Sequence, residues 1–509
     1  APTLPLHSNQ LALLPGGDLA WFISFFKLIV DLVLGALVRR QAMGNHSGKD
    51  KKTGEDTVLS ETTSTEDGKQ PKKQIKGGRK RKSINLEETW KIFDDDPEVL
   101  SDEKIEKVAN ELVEKGGLPG ACCGIIIMDK KSLITTIRLG CAGKRQADAR
   151  KNFVEEGDKW HLGSCTKAIT ATIVARFISE GAYGFTWETT ISQSLGKKLK
   201  GVHRGYHNCS LLNLMTHTSG IAAHPGNHVW TTAWGMTELN PMIQRHKYAT
   251  AILSQRPVKA IGQYLYSNSN YAVLGCILEE VSGHSFEELV MSLIAKPLGI
   301  STVGIGPAGS KEKDKAKAKA NPWGHDAHQN PQDPHRIQSD NPEAIAPAGK
   351  LHMSMGDWGR FVSVHMHPKL LHRLVSYDGE DNVSSEDKGP FNVLHQPLSS
   401  RPQAYACGWL VSKYTWAGNV PVLEHSGSNT MNYCKVLVSP EKGFAVMIAC
   451  NIGGKTAKVP SRRAQEQLIK IARNYLRRTS HSSGHRSSHH DHHHHHHHHH
   501  YHHHPEGTK

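Results

Sequence analysis

Ser164 and Lys167 stand three residues apart at the head of the run GSCTKAITATIVARFISEG. Positions i and i+3 share one face of a helix, so this spacing sets an ammonium beside a hydroxyl. A serine hydroxyl is a poor nucleophile by itself and becomes competent next to a base or a cation. The start of the helix adds a dipole and unpaired N–H groups that favour a developing oxyanion. About a hundred residues later, Tyr266, Ser267 and Asn268 precede a second apolar helical run, and a phenol there can relay a proton. Near the C-terminus, His425, Ser426, Gly427 and Ser428 lead into a pair of strands. Each feature has a bland explanation when taken singly. An isolated Ser-x-x-Lys is usually accidental, Tyr266 could be a buried aromatic, and Asn268 could be an N-cap. His217 in THTSG reads as a loop pin, and Cys165 as packing beneath its helix.

The three elements together, in this order, resemble the S-x-x-K, Y-x-N and K-T-G-type motifs of the serine β-lactamase and penicillin-binding-protein superfamily. Tyr266 and the order of the motifs are similar to the class C β-lactamase-like branch. LLNLMTHTSGI (211–221), NPWGH (321–325) and NPEAIAPAGKLHMSMGDWGRF (341–361) look like that family's standard surroundings, and the resemblance covers roughly 100–477. It implies that Ser164 attacks a carbonyl to form an acyl-enzyme, while Lys167 holds Ser164 and lowers the cost of its deprotonation. Tyr266 then shuttles the proton, as phenolate or through Lys167, and activates the deacylating water. Asn268 is expected to bond Lys167 and the substrate amide. The backbone N–H groups of Ser164 and Ser428 make the oxyanion hole, with His425, Ser426 and Gly427 lining that edge. No metal or organic cofactor is implied.

One departure concerns His425, which stands where penicillin-handling members carry Lys. A Lys is a permanent cation for a substrate carboxylate, whereas His is mostly neutral at pH 7. The expectation is a serine hydrolase for a small ester, amide or peptide, with His425 gripping an anionic end only when protonated. The rival classes are a catalytically silent scaffold on the same fold and a metal-binding protein acting through its His-rich tail.

The surrounding sequence supplies elements to hold these residues. Ile105, Val108, Ala109, Leu112 and Val113 recur at helical spacing. Runs 121–129 and 132–140 predict a hairpin, and 433–438 with 444–450 predict another across Ser439–Gly443. A last helix is expected over 462–477. Strands at both ends of the core predict an α/β (α+β) fold, in which one antiparallel sheet is built from both termini and flanked by helices. An inserted, mainly helical lobe is expected over about 175–390, with surface loops at 310–320 and 378–389.

The chain has 509 residues, 37% of them hydrophobic, which suits a folded protein of ordinary composition. Its net charge of +14 is concentrated: Lys69 to Lys82 holds eight basic residues and no acid. A nucleic-acid-reading domain is therefore not indicated. Nine cysteines without a CxxC pair read as reduced thiols. Residues 19–38 are long enough to span a bilayer but carry Lys27 and Asp31, each costing about 2.5–3.5 kcal/mol, so insertion sums near zero. If they span, Arg39 and Arg40 place the rest in the cytosol. Alternatively translation starts at Met43, and a Gly44 acyl chain with the basic run forms a two-signal anchor. The organisation expected is an N-terminal hydrophobic segment and disordered basic linker (1–84), a hydrolase domain (85–478) and a disordered tail (479–509). The catalytic domain is expected to be cytoplasmic, with membrane association through residues 1–82. The tail's nine consecutive histidines, His492 to His500, are expected to chelate divalent metals loosely.

Overall fold

In the computed structural model, residues 100–486 are described, apart from 197, 377–388 and 399–403. The hydrophobic segment 19–38, the linker 44–84, the basic run, nearly all of the loop 378–389 and the histidine run lie outside the described residues. Strands β1 (Gly120–Met128) and β2 (Thr135–Gly143) form the expected first hairpin. All nine β1 residues are buried, as a strand covered on both faces requires. Strands β8 (Pro421–Ser428), β9 (Tyr433–Ser439) and β10 (Phe444–Cys450) follow near the other end of the chain. With β6 (Ala404–Tyr405) and β7 (Leu410–Lys413), they complete a seven-stranded sheet in the order β2-β1-β10-β9-β8-β7-β6. Every neighbouring pair is antiparallel. The α+β sheet built from both termini is therefore present as expected.

Helix α1 (Asp102–Glu114) buries Ile105, Val108, Ala109 and Leu112. It sits directly on β2, because a Cβ at Gly140 would come within 2.2 Å of the Glu106 backbone nitrogen. Helix α6 (Gly454–Arg486) covers the same face beside it. The opposite face packs on helix α2 (Thr166–Ser179), whose first twelve residues are all buried. Outside the sheet, α3 (Pro241–Leu253) and α4 (Asn268–Ser282) form the centre of the helical lobe. They are joined by the fully buried Arg245, whose guanidinium donates to Glu279 at 2.8 Å and to Glu287 at 2.7 Å. Breaking such a pair from one side strands a charge and costs about 3–5 kcal/mol.

Three details differ from the sequence expectation. Strand β2 starts at Thr135 rather than 132, because Leu133 takes a positive φ of 59° and donates to the Asp129 carbonyl at 2.7 Å. The last helix begins eight residues earlier than expected and runs through Pro460, where burial of Ala457, Ser461, Ala464 and Leu468 outweighs one missing N–H. The stretch about 175–390 is not uniformly a lobe. Strand β5 (Leu351–Ser354) joins β3 (Lys159–His161) and β4 (Gly304–Ile305) in a small second sheet. Helix α5 (Met355–Val364) then returns to the main sheet, where Gly359 lets Ile137 and Met447 approach. The segment 310–320 includes a single helical turn, Lys315–Ala318.

Candidate active site

Ser164 lies in the short turn Gly163–Cys165 between β3 and α2. That turn is pressed against the end of β8. Gly163 has a φ of +48°, and a Cβ there would fall 2.4 Å from the Ser428 nitrogen. A Cβ on Gly427 would fall 1.9 Å from the Leu162 carbonyl oxygen and 2.8 Å from the Ser164 nitrogen. Only glycine permits this backbone-to-backbone approach, which brings the Ser164 and Ser428 N–H groups to one location. Gly427→Ala should therefore force the two segments apart and lower kcat far more than KM. A steady-state comparison at matched folded fraction checks this expectation.

Lys167 is fully buried, and all three of its protons have acceptors. The ammonium donates to Ser164 Oγ at 3.1 Å, to Asn268 Oδ1 at 2.8 Å and to the Ala348 carbonyl at 2.6 Å. Burial favours the neutral amine and brings its pKa down to about 7. The group can thus accept the Ser164 proton near neutrality. The segment that carries the Ala348 carbonyl is held on both sides at Pro347. Thr170 Oγ1 donates to Pro347 O at 2.7 Å, and Gly275 of α4 lies against the Pro347 ring, whose Cγ would be 2.3 Å from a Cβ.

The Tyr266 ring lies under the ammonium, with Nζ 5.0 Å from its centroid. Burial pushes its phenol well above the ordinary range, and a hydrogen bond with Ser164 only partly opposes this. That direction weighs against a phenolate at Tyr266. Asn268 opens α4, but the cap of that helix is Ser267, which accepts from the Ser269 N–H. Asn268 is left to bond Lys167. His217 is buried with a positive φ of 58°, and its Nδ1 accepts from Ser267 N and Asn270 Nδ2. It pins the loop as expected and also packs against Tyr266, with 4.2 Å between the centroids of the tilted rings. Cys165 is buried in the main core, its sulfur 3.4 Å from that of Cys434.

His425 is held by partners that the sequence did not name. The expectation placed its imidazole as a pH-dependent grip for a carboxylate. In the structure the residue is 5% exposed, with Nδ1 2.7 Å from the Ser426 carbonyl and Nε2 2.9 Å from the Tyr405 hydroxyl. A carbonyl only accepts, so Nδ1 carries a proton, and Nε2 can accept from Tyr405 in the neutral tautomer. Both nitrogens are occupied, and the ring also neighbours the Cys165 thiol. His425→Lys should lower Tm, because an ammonium cannot accept from the Tyr405 hydroxyl; a thermal melt of the variant checks this, and an unchanged Tm would count against the packed role.

Ser426 and Ser428 alternate outward from the same strand, while Gly427 points inward. Ser428 Oγ donates to the Asn432 carbonyl at 2.7 Å and accepts from Thr430 N, which shapes the turn after β8. Three contributors carried no sequence signal of their own: Tyr405, the Ala348 carbonyl and the buried His161–Asp340 pair. His161 Nε2 lies 3.0 Å from Asp340 Oδ2, which leaves Nδ1 to accept from Gly163 N at 3.1 Å and so fixes the turn before Ser164.

Among the described residues, no helix is long and apolar enough to cross a membrane. Comparison with known proteins places the fold and the family. The profile of the Beta-lactamase family matches residues 105–470. "Putative penicillin-binding protein PbpX" of Bacillus subtilis (strain 168) is 26% identical over 263 residues, covering 51% of this chain and 57% of that protein. "Protein flp" of Staphylococcus aureus (strain N315) is 20% identical over 368 residues, covering 70% of this chain and 64% of that protein. The chain thus spans less than two thirds of the length of these relatives. Among solved structures, the octameric penicillin-binding protein homologue from Pyrococcus abyssi superposes with a TM-score of 0.55 at 22% identity, covering 73% of this chain and 78% of that one. A point mutant of a class C β-lactamase superposes with a TM-score of 0.54 at 16% identity, covering 72% and 96%. At these identities the superpositions speak to the fold alone. The family profile spans well over half of the chain, and this protein belongs to the Beta-lactamase family.

Proposed function

We propose that the chain is a serine hydrolase that acts through an acyl-enzyme on a small ester, amide or peptide. One observation carries the reading: a buried lysine with its pKa brought to about 7 stands 3.1 Å from the Ser164 hydroxyl. A nucleophile and a base in hydrogen-bond reach, with the base oriented by a third group, are what covalent acyl transfer needs. Asn268 and the Ala348 carbonyl supply that orientation.

In acylation, the neutral Lys167 amine takes the Ser164 proton as Oγ attacks the substrate carbonyl. The Ser164 and Ser428 N–H groups receive the oxyanion. Lys167, now charged, returns the proton to the leaving group through the Tyr266 hydroxyl. Water then attacks the acyl-enzyme by the same relay. None of these steps requires a metal or an organic cofactor.

The test is a panel of neutral esters, amides, short peptides and a β-lactam incubated with the full chain. Turnover of at least one ester, amide or peptide, with an initial burst stoichiometric with enzyme, is expected. Absence of both turnover and burst across the panel would favour the silent scaffold.

A further inference from the structure

Helices α3 and α4 are joined by polar contacts at two successive positions, and the two are built differently. Arg245 with Glu279 and Glu287 is a closed, charge-balanced set. The neighbouring His246 and Glu280 form a second contact, Nδ1 to Oε1 at 2.7 Å, with a third potential ligand beside it. Cys276 lies one helical turn before Glu280 and on the same face. The ligand atoms of His246, Cys276 and Glu280 all lie within 4.8 Å of one another. Cys276 is buried, whereas the side chains of His246 and Glu280 are 38% and 27% exposed.

The geometry points to a Zn2+ site formed by His246, Cys276 and Glu280, which braces helix α4 against α3. The ligand chemistry selects the metal class. One thiolate, one imidazole and one carboxylate suit zinc, whereas calcium and magnesium require oxygen ligands. Bond lengths of about 2.0–2.3 Å place tetrahedral ligand atoms roughly 3.5 Å apart. The His246–Glu280 contact then opens by under an ångström when the proton between them is displaced. Three protein ligands leave a fourth position for water, on the side where His246 and Glu280 meet solvent. The brace acts at a distance from the chemistry. Cys276 is eight residues beyond Asn268, about 12 Å along the helix axis. Fixing α4 against α3 therefore holds the helix that presents Asn268 to Lys167, and zinc touches no reacting atom.

The test uses the full chain and Co2+ as the probe, followed by displacement with Zn2+. A thiolate ligand gives cobalt an intense near-ultraviolet charge-transfer band, which the imidazoles of His492 to His500 cannot produce. The expected result is a band saturating at one Co2+ per chain, removed by stoichiometric Zn2+ and absent in Cys276→Ser. Binding should be at least tenfold weaker in His246→Ala and in Glu280→Gln, and Zn2+ should raise Tm by a few degrees in the parent chain. Circular dichroism verifies that each variant is folded. If Cys276→Ser does not fold, the two solvent-side variants decide, and both must weaken the band. No thiolate band in the parent chain, or a band unaffected by His246→Ala and Glu280→Gln, overturns the proposal. Absence of hydrolysis in a parent chain that shows the cobalt band would count against the proposed function and leave this site standing.

Discussion

Ser164→Ala is expected to abolish turnover, with a loss on the order of a millionfold, the scale seen when a serine hydrolase loses its nucleophile. Cys165→Ala should keep activity within about a fewfold. The two residues are adjacent, but their environments differ. Ser164 is partly exposed and receives a hydrogen bond from Lys167, whereas Cys165 is buried beneath the turn against Cys434. A thiol in that position cannot reach a substrate carbonyl without unpacking the start of α2. Progress curves with any substrate the parent turns over, recorded for both variants at equal folded concentration, check this expectation. Survival of turnover in Ser164→Ala and its loss in Cys165→Ala would transfer the nucleophile to the thiol.

Lys167→Met is expected to slow acylation by about a hundredfold to ten-thousandfold, the usual contribution of a positioned general base. It should do so without lowering thermal stability, and this combination separates a catalytic role from a structural one. Met fills much of the same volume and removes the need to bury a charge. The parent chain should also show a pH signature. Folding depresses the Lys167 pKa from 10.5 to about 7. Between those values the unfolded chain holds one more proton than the folded chain, so stability rises with pH across that window. Below about 7 both states are protonated and the contribution is flat, with the buried charge at its full cost. The acylation rate should rise through about pH 7 as the neutral amine becomes available. Denaturant melts between pH 6 and 10.5 should show the rise in the parent and not in Lys167→Met. A variant that melts far below the parent at every pH would instead make Lys167 a structural linchpin.

The parts of this site that were readable beforehand are those whose spacing carries the chemistry. Ser164 and Lys167 meet because three residues make nearly one helical turn, and the Gly163–Cys165 turn runs directly into α2. The meeting of Lys167 with Asn268 across 101 residues rested on the resemblance, since no local rule predicts it. The Ala348 carbonyl could not have been found by residue type, because every residue carries one and only the fold decides which faces Nζ. Tyr405 belongs to a two-residue strand with no periodicity to mark it. The partners of His425 were not readable for a related reason. Its position in the third motif is legible, but the role of an imidazole depends on what its two nitrogens meet. Here they meet Tyr405 and a backbone carbonyl. The fold followed the same division. The sheet was legible from apolar runs at both ends of the core, while the early start of α6 and the return of α5 to the sheet depend on packing between distant segments.

The central claim is that one hydroxyl, Ser164, is activated for covalent attack by a neutral Lys167. Intact-mass measurement of the full chain after treatment with a fluorophosphonate, followed by peptide mapping, tests it most directly. The account predicts a single adduct per chain, located on Ser164, forming faster above about pH 7 than below it and absent in Ser164→Ala. An adduct mapped to another residue, or no adduct on a folded chain at any pH, would contradict it.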